Sequence, residues 1–163
     1  VSPDITYALE YDWDFIKWIK KKSKLPLIPK GILSRHDLKK CMDLKINNIW
    51  ISNHGGRMFN SGISTSRFLI QNQDLIRKYN GNIVIDGGVR KGSDIIKLKC
   101  LGADFVGLGR PIMHGLIVSG YKGVHKVLEI LKNDLISSMK NGGFKSTIDF
   151  KISRLNFNKN YFE

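Results

Sequence analysis

The chain has 163 residues, 42% of them hydrophobic and 25% charged, which suits one domain with a packed core and excludes wholesale disorder. The formal net charge is +13, but the lysines and arginines are scattered and no nucleic-acid-binding motif accompanies them. We therefore expect a solvated basic surface, with an anionic ligand or membrane surface as the alternative, and no nucleic-acid partner.

The chain is predicted to repeat one pattern: a short apolar run, a polar or glycine-rich turn, and a segment with helical periodicity. A helix over Trp13–Lys22 comes first. The apolar runs then lie at 25–30, 48–53, 82–86 and 104–109, and the helical segments at 34–45, 64–79, 92–101 and 122–141. Short runs rich in Ile and Val favour buried parallel strands, and Ser34 is predicted to cap the segment that follows it.

Strands that alternate with helices at this spacing predict βα units and an α/β fold with a parallel sheet. Two architectures remain open from the pattern: half of a (β/α)8 barrel and a doubly wound open sheet. In both, functional side chains gather at the carboxyl ends of the strands. All four predicted strands end in polar or glycine residues, and packing alone does not account for that placement.

Residues 52–57 read Ser-Asn-His-Gly-Gly-Arg directly after a predicted strand. Paired glycines permit unusual dihedral angles and a close approach of the backbone to a ligand. The imidazole of His54 can accept a proton near neutral pH, and the planar guanidinium of Arg57 can bind a carboxylate. The pattern indicates a base beside a carboxylate clamp, with a capping histidine and a surface arginine as the alternative.

Two glycine-rich turns, at 86–92 and 107–111, lead from predicted strands into helical segments or towards them. Such turns expose backbone N–H groups and the positive end of a helix to phosphate. Arg90 and Arg110 add positive charge from neighbouring units, and barrels often hold phosphate in the loops after their last two strands. A phosphate site is therefore predicted, with helix-starting glycines and solvated arginines as the alternative.

Other candidates have weaker signals. Lys30 ends the first predicted strand, where a cation can stabilise negative charge on a cofactor ring, although a surface lysine is the simpler interpretation. Cys41 and Cys100 are expected to be buried, reduced thiols. No metal site is predicted, because the remaining histidines lack metal-ligand spacing. We interpret these histidines as structural and the tryptophans as core or interface residues: His36, His114, His125, Trp13, Trp18 and Trp50.

The motifs KGIL, SNHGGR, IDGGVRKGSD, LGA and GLGRP, in this order and spacing, resemble those of FMN-dependent 2-hydroxy-acid dehydrogenases and oxidases. This family includes flavin-type L-lactate dehydrogenases, glycolate oxidase and mandelate dehydrogenase. The resemblance covers about residues 13–154 of the chain. It implies a (β/α)8 TIM barrel, of which residues 1–155 supply about the last four βα units, followed by a tail at 156–163.

The resemblance also implies roles for individual residues. His54 is the active-site base, and Arg57 binds the substrate carboxylate. Lys30 lies near the flavin N1–O2 edge and stabilises the anionic reduced ring, and Ser52 contacts the flavin. The ribityl chain and phosphate of FMN are held by Asp86, Gly88, Arg90, Gly109 and Arg110.

The implied reaction oxidises an L-2-hydroxy acid, with L-lactate as the first expectation, to the 2-oxo acid. His54 takes either the hydroxyl proton during hydride transfer or the α-proton in a carbanion route, and the sequence leaves both open. The reduced flavin passes its electrons to oxygen, a quinone or a cytochrome. Members of the family occupy several compartments, so the resemblance leaves localisation open.

Three departures from the family pattern bear on activity. Met58-Phe59-Asn60 stands where Gln-Leu-Asp is usual, and Pro29 is expected to distort the end of the first strand. The third departure is that only about half of a barrel is visible. The sequence therefore predicts a missing N-terminal barrel half or a homo-oligomer as partner. A degenerate half barrel that binds phosphate, flavin or a partner without turnover is the alternative.

Overall fold

The computed structural model describes residues 11–58 and 62–156. Within these residues, three 3-10 turns lie at His54–Gly56, Thr147–Asp149 and Ile152–Arg154. The helices and strands, in chain order, are α1 (Trp13–Lys22), α2 (Arg35–Asp43), β1 (Asn48–Ile51), α3 (Thr65–Gln71), α4 (Gln73–Ile76), β2 (Asn82–Ile85), α5 (Gly92–Cys100), β3 (Phe105–Val106) and α6 (Arg110–Asn141).

The three strands form a parallel sheet in the order β1-β2-β3, with Ile49 opposite Ile83 and Ile85 opposite Val106. Helices connect each strand to the next, as predicted for βα units. Successive side chains of a strand point to opposite faces of the sheet. Ile49, Ile51, Ile83 and Ile85 are all buried in the core. The sheet is therefore packed on one face, and its other face carries the alternate residues.

The predicted strand at 25–30 is not present as a strand. Only one parallel bridge forms there, between Lys30 and Trp50. Pro26 and Pro29 have no backbone N–H to donate to a ladder, which explains why pairing stops at this point. The Pro29 carbonyl still accepts a hydrogen bond from the Trp50 N–H at 2.9 Å, so the chain runs along the free edge of β1 and places Lys30 at its carboxyl end.

Helix α2 begins as predicted, because the Ser34 hydroxyl accepts a hydrogen bond from the Asp37 N–H at 2.9 Å. The segment predicted as one helix over 64–79 is instead divided into α3 and α4. The break lies at Asn72, whose side-chain amide donates to the Phe68 carbonyl at 2.9 Å. Such a side-chain bond competes with the helical backbone pattern and allows the chain to turn.

Helix α6 begins at Arg110, twelve residues before the predicted start at 122. The helix is interrupted at Ser119 and Gly120, where Gly120 has φ 53° and ψ −139°. Its two parts cross closely, since a Cβ on Gly115 would lie 2.7 Å from the carbonyl oxygen of Gly123. Gly115 and Gly123 thus allow the close crossing because neither has a side chain. Among the described helices, α6 included, none is both long and apolar enough to cross a membrane.

Cys41 and Cys100 are buried and unpaired, as predicted. Burial, followed by the charge of Asp37, raises the pKa of the Cys41 thiol from 9.0 to about 12, and burial also raises the pKa of Cys100. We expect neither thiol to react with a disulfide reagent in the folded chain, and both to react after unfolding. A chromogenic disulfide reagent, whose coloured thiol is released on reaction, measures the reactivity of the cysteines with and without denaturant. Rapid reaction of the folded chain would contradict the prediction.

The same shift predicts a pH dependence of stability. The folded Cys41 thiol keeps its proton at a pH where the unfolded thiol has lost it. Its contribution to stability is therefore complete below pH 9.0 and is lost as the pH rises towards about 12. In Cys41→Ala, the denaturation midpoint is expected to fall less above pH 9.0 than it does in the wild type. An equal fall in both proteins would contradict the assignment to Cys41.

Candidate active site

A cavity of about 310 Å³ opens at the carboxyl ends of the strands. Its lining contains every site residue predicted from the sequence except Ser52, which lies buried beneath it. Four cationic side chains and one carboxylate face this cavity, so it suits an anionic ligand. The charged residues of the lining are Lys30, Arg57, Arg90, Arg110 and Asp86.

His54 is held at the mouth of the cavity by an unusual backbone. Its φ is 53°, in the left-handed region that residues other than glycine rarely adopt. The turn is fixed by two hydrogen bonds, from the His54 N–H to the Ser52 hydroxyl at 3.2 Å and from the Gly55 N–H to the Asn53 side chain at 3.0 Å. Strain of this kind persists only where surrounding contacts impose it, and it is concentrated at functional sites.

The backbone of Gly31 lies close to the imidazole of His54. It has φ 100°, and a Cβ there would lie 3.2 Å from His54 Cε1. A side chain at Gly31 would therefore press on the imidazole as well as strain the backbone. The glycine after Lys30 thus leaves room for the imidazole at the end of the neighbouring strand.

Arg57 lies on the same turn as His54 and faces the same cavity. Its Nε donates to the His54 carbonyl at 3.3 Å, which ties the arginine to the histidine turn. Arg57 is exposed, and a guanidinium with free terminal nitrogens can bind a carboxylate by two parallel hydrogen bonds. The structure therefore brings together the predicted base and the predicted clamp.

Beneath the cavity, Ser52 joins Lys30 to Asp86. The Ser52 hydroxyl is fully buried, accepts a hydrogen bond from Lys30 Nζ at 2.9 Å and donates one to Asp86 Oδ1 at 2.7 Å. Lys30 Nζ also lies 3.4 Å from Asp86 Oδ2. The Ser52 hydroxyl thus connects the ends of the first three predicted strands, which carry Lys30, Ser52 and Asp86. Lys30 is therefore part of the site and not a free surface lysine.

The turn after Asp86 is shaped by contacts that the sequence did not indicate. The hydroxyl of Thr65 donates to the Asp86 carbonyl at 2.7 Å. Gly87 has φ 104°, which L side chains rarely adopt, and a Cβ there would make a tight contact of 3.0 Å with Thr65 Oγ1. Asp94 then accepts hydrogen bonds from the N–H groups of Arg90 and Lys91, both at 3.0 Å. Asp94 therefore holds the start of α5 and presents Arg90 at the cavity.

Arg110 and two glycine turns make part of the cavity suited to phosphate. Arg110 is the first residue of α6, so it combines its own charge with the positive end of the helical part that precedes the interruption at Ser119. Its guanidinium extends towards the histidine turn, and a Cβ on Gly55 would lie 3.8 Å from Arg110 Nη2. Among the described residues, no atom would lie within 4 Å of a Cβ at Gly88 or at Gly109, so both turns leave open space beside the backbone.

Two residues of the site were not predicted from the sequence. Trp50, interpreted as a core or interface residue, lines the cavity and donates from Nε1 to Asp86 Oδ2 at 3.0 Å. Thr65 contacts the Asp86 turn. The alternation of the strand could have placed Trp50 on the same face as Ser52. Of the departures from the family pattern, Met58 is 74% exposed, and Phe59 and Asn60 lie outside the described residues.

The carboxyl edge of this parallel α/β sheet gathers His54, Asp86 and four cationic side chains, and this is the edge at which (β/α)8 proteins carry their functional sites. The family described as FMN-dependent dehydrogenase matches residues 4–156, and the chain belongs to this family. The resemblance found in the motifs is confirmed, as are the barrel class and FMN as the cofactor.

Curated relatives are similar over most of this chain. The chain is 38% identical to the peroxisomal (S)-2-hydroxyacid oxidase GLO3 of Arabidopsis thaliana, over 84% of this chain and 38% of that protein. It is 34% identical to the L-lactate dehydrogenase (cytochrome) of Saccharomyces cerevisiae, over 93% of this chain and 25% of that protein. The chain thus spans well under half the length of these relatives.

Solved structures agree in fold. A flavocytochrome b2 variant with benzoylformate superposes with a TM-score of 0.84 at 33% identity, covering 88% of this chain and 38% of that one. A mandelate oxidase with benzoyl-formic acid gives a TM-score of 0.81 at 31% identity, covering 90% of this chain and 43% of that one. These matches decide between the two architectures left open by the sequence: the sheet is part of a barrel and not a doubly wound open sheet.

Proposed function

We propose that this chain takes part in the FMN-dependent oxidation of an L-2-hydroxy acid to the 2-oxo acid, and that L-lactate is the first substrate to test. The observation that carries the proposal is that His54 and Arg57 line one cavity together with Arg90 and Arg110. Relatives named as 2-hydroxyacid oxidase, L-lactate oxidase and L-lactate dehydrogenase support the substrate class.

In this proposal, Arg57 binds the substrate carboxylate with its two terminal nitrogens. His54, attached to the same turn, then faces the carbon that bears the hydroxyl group and removes a proton from it or from the hydroxyl. Bound FMN supplies the two-electron acceptor for this oxidation. The chain's own contribution is to orient the acid and to remove the proton.

The cofactor end of the cavity supports FMN in particular. Arg90 and Arg110 offer charge to a phosphate, and Asp86, Gly88, Gly109 and Lys30 line the same cavity. We assign the ribityl chain to the space beside Asp86, Gly88 and Gly109 and the N1–O2 edge of the ring to Lys30. A cation at that edge stabilises negative charge on the reduced ring.

The proposed partner is a complementary barrel half or a second copy of the chain. The inner face of the sheet is not covered by described residues of this chain: Phe105 on β3 is 59% exposed, and Trp50 and Val84 are partly exposed. The first part of α6 adds exposed apolar side chains at Met113, Leu116, Ile117 and Val118.

Oxygen, a quinone or a cytochrome would take the electrons from the reduced flavin.

The same uncovered face favours a second candidate function, a flavin- or phosphate-binding module without turnover. Visible absorption of the full chain with FMN, before and after anaerobic L-lactate, distinguishes the two. Bound flavin that bleaches with L-lactate and not with D-lactate supports the oxidase or dehydrogenase. Binding without bleaching by any 2-hydroxy acid supports the module, and no change in the FMN spectrum contradicts a cofactor site carried by this chain.

A further inference from the structure

Trp50 contacts several parts of the site from one position on the inner face of β1. Its indole Nε1 donates to Asp86 Oδ2 at 3.0 Å, and Lys30 Nζ lies 5.1 Å from the centroid of its ring. The edge of the ring also lies against β3, since a Cβ on Gly107 would be 3.3 Å from Trp50 Cζ2. The glycine at the end of β3 thus provides the space that the indole occupies.

The indole N–H is aimed at the carboxylate oxygen that is otherwise held least closely. Asp86 Oδ1 receives the Ser52 hydroxyl at 2.7 Å, whereas Oδ2 has, besides the indole, only the Lys30 ammonium at 3.4 Å among the described residues. A hydrogen bond to a charged acceptor is shorter and stronger than one to a neutral acceptor. Without the indole N–H, Asp86 Oδ2 would keep only the longer contact to Lys30 among the described residues.

The ring of Trp50 also attracts the ammonium group of Lys30, which pairs with Asp86. A lysine ammonium within about 6 Å of an aromatic centroid is attracted to the face of the ring. Lys30 is thus held by the Ser52 hydroxyl, by the Asp86 carboxylate and by the indole face at the same time. The indole therefore places a donor on the anion and a π face beside the cation.

We propose that Trp50 is a positioning residue, which holds Asp86 and Lys30 in the arrangement that receives the flavin ring and ribityl chain. This inference rests on the proposed function, because Lys30 and Asp86 are assigned there to FMN. It predicts that the N–H group of Trp50, and not merely the bulk of its ring, contributes to FMN affinity and to the reduction potential of the bound flavin.

The contact itself can be tested without FMN. The chain has three tryptophans, so the ¹⁵N-labelled protein shows three indole signals, which single Trp→Phe variants assign. Asp86→Asn is expected to shift the Trp50 signal most and to speed its exchange with solvent. Asp37→Asn is the matched control, because Trp13 Nε1 donates to Asp37 at 3.2 Å. A Trp50 signal that does not respond to Asp86→Asn would overturn the proposal.

The functional consequence is measured with Trp50→Phe, which keeps an aromatic face beside Lys30 but removes the N–H. We expect the Kd for FMN to rise roughly three- to tenfold and the flavin potential to become more negative, with the thermal midpoint little changed. Trp18→Phe, at a side chain that is 55% exposed, is the control. Wild-type affinity and potential in Trp50→Phe would overturn the proposal.

These results also separate the inference from the function on which it rests. If the wild-type chain binds no FMN, the proposed function fails, while the indole signals still decide whether Trp50 holds Asp86. If Trp50→Phe does not fold, Trp50→His provides a ring with an N–H group at the same strand position. Two results together then support the role of the N–H group. Asp86→Asn shifts the indole signal of Trp50, and Trp50→His binds FMN more tightly than Trp50→Leu does.

Discussion

His54→Gln is expected to lower the rate of flavin reduction by L-lactate about 10²- to 10⁴-fold in the active assembly, while FMN remains bound. The histidine lies at the mouth of the cavity on a turn fixed by Ser52 and Asn53, and it shares that turn with Arg57. Glutamine can donate and accept hydrogen bonds but cannot take up the proton near neutral pH. The loss should therefore fall on the chemical step and not on cofactor binding.

Anaerobic stopped-flow absorbance measures this rate directly. His36→Gln is the matched control, because His36 is an exposed histidine on α2 that does not line the cavity. Its rate should equal that of the wild type. Equal rates in His54→Gln and wild type would show that His54 is not the base. A loss of bound FMN in His54→Gln would instead assign the residue to cofactor binding.

Arg110→Ala is expected to raise the Kd for FMN about 10- to 100-fold, since a hydrogen bond to a charged group contributes roughly 1.5–3 kcal/mol. Arg110 begins α6 and extends across the cavity towards Gly55, so its charge adds to that of the helix end. Arg110→Lys keeps the charge but loses the planar fork, and it should recover only part of the affinity.

A fluorescence titration of FMN against each variant gives these affinities. Arg77→Ala is the control, because Arg77 is an exposed arginine beyond the cavity lining. The affinity for riboflavin, which lacks the phosphate, should differ little between Arg110→Ala and the wild type. An unchanged Kd for FMN in Arg110→Ala, or an equal loss of affinity for riboflavin, would remove Arg110 from the phosphate site.

The sequence by itself determined the features that depend on local pattern. The alternation of apolar runs with helical segments predicted the parallel sheet, and Ser34 marked the start of α2 because its hydroxyl caps the next turn. The positions of the site residues were also predictable, since parallel strands bring their carboxyl ends to one edge. His54 and Arg110 are far apart in sequence, yet both line the predicted edge.

Only the tertiary structure decided the features that depend on neighbours from other units. It showed that segment 25–30 makes one bridge, that α6 begins at Arg110, and that Ser52 is buried between Lys30 and Asp86. It also placed Trp50 in the cavity, although an apolar aromatic on a strand is most simply interpreted as core. The physical reason is that burial and hydrogen bonding are set by what lies opposite a residue. The strand pattern predicts the face on which Trp50 lies. It does not predict that the carboxylate of Asp86 accepts a hydrogen bond from the indole N–H on that face.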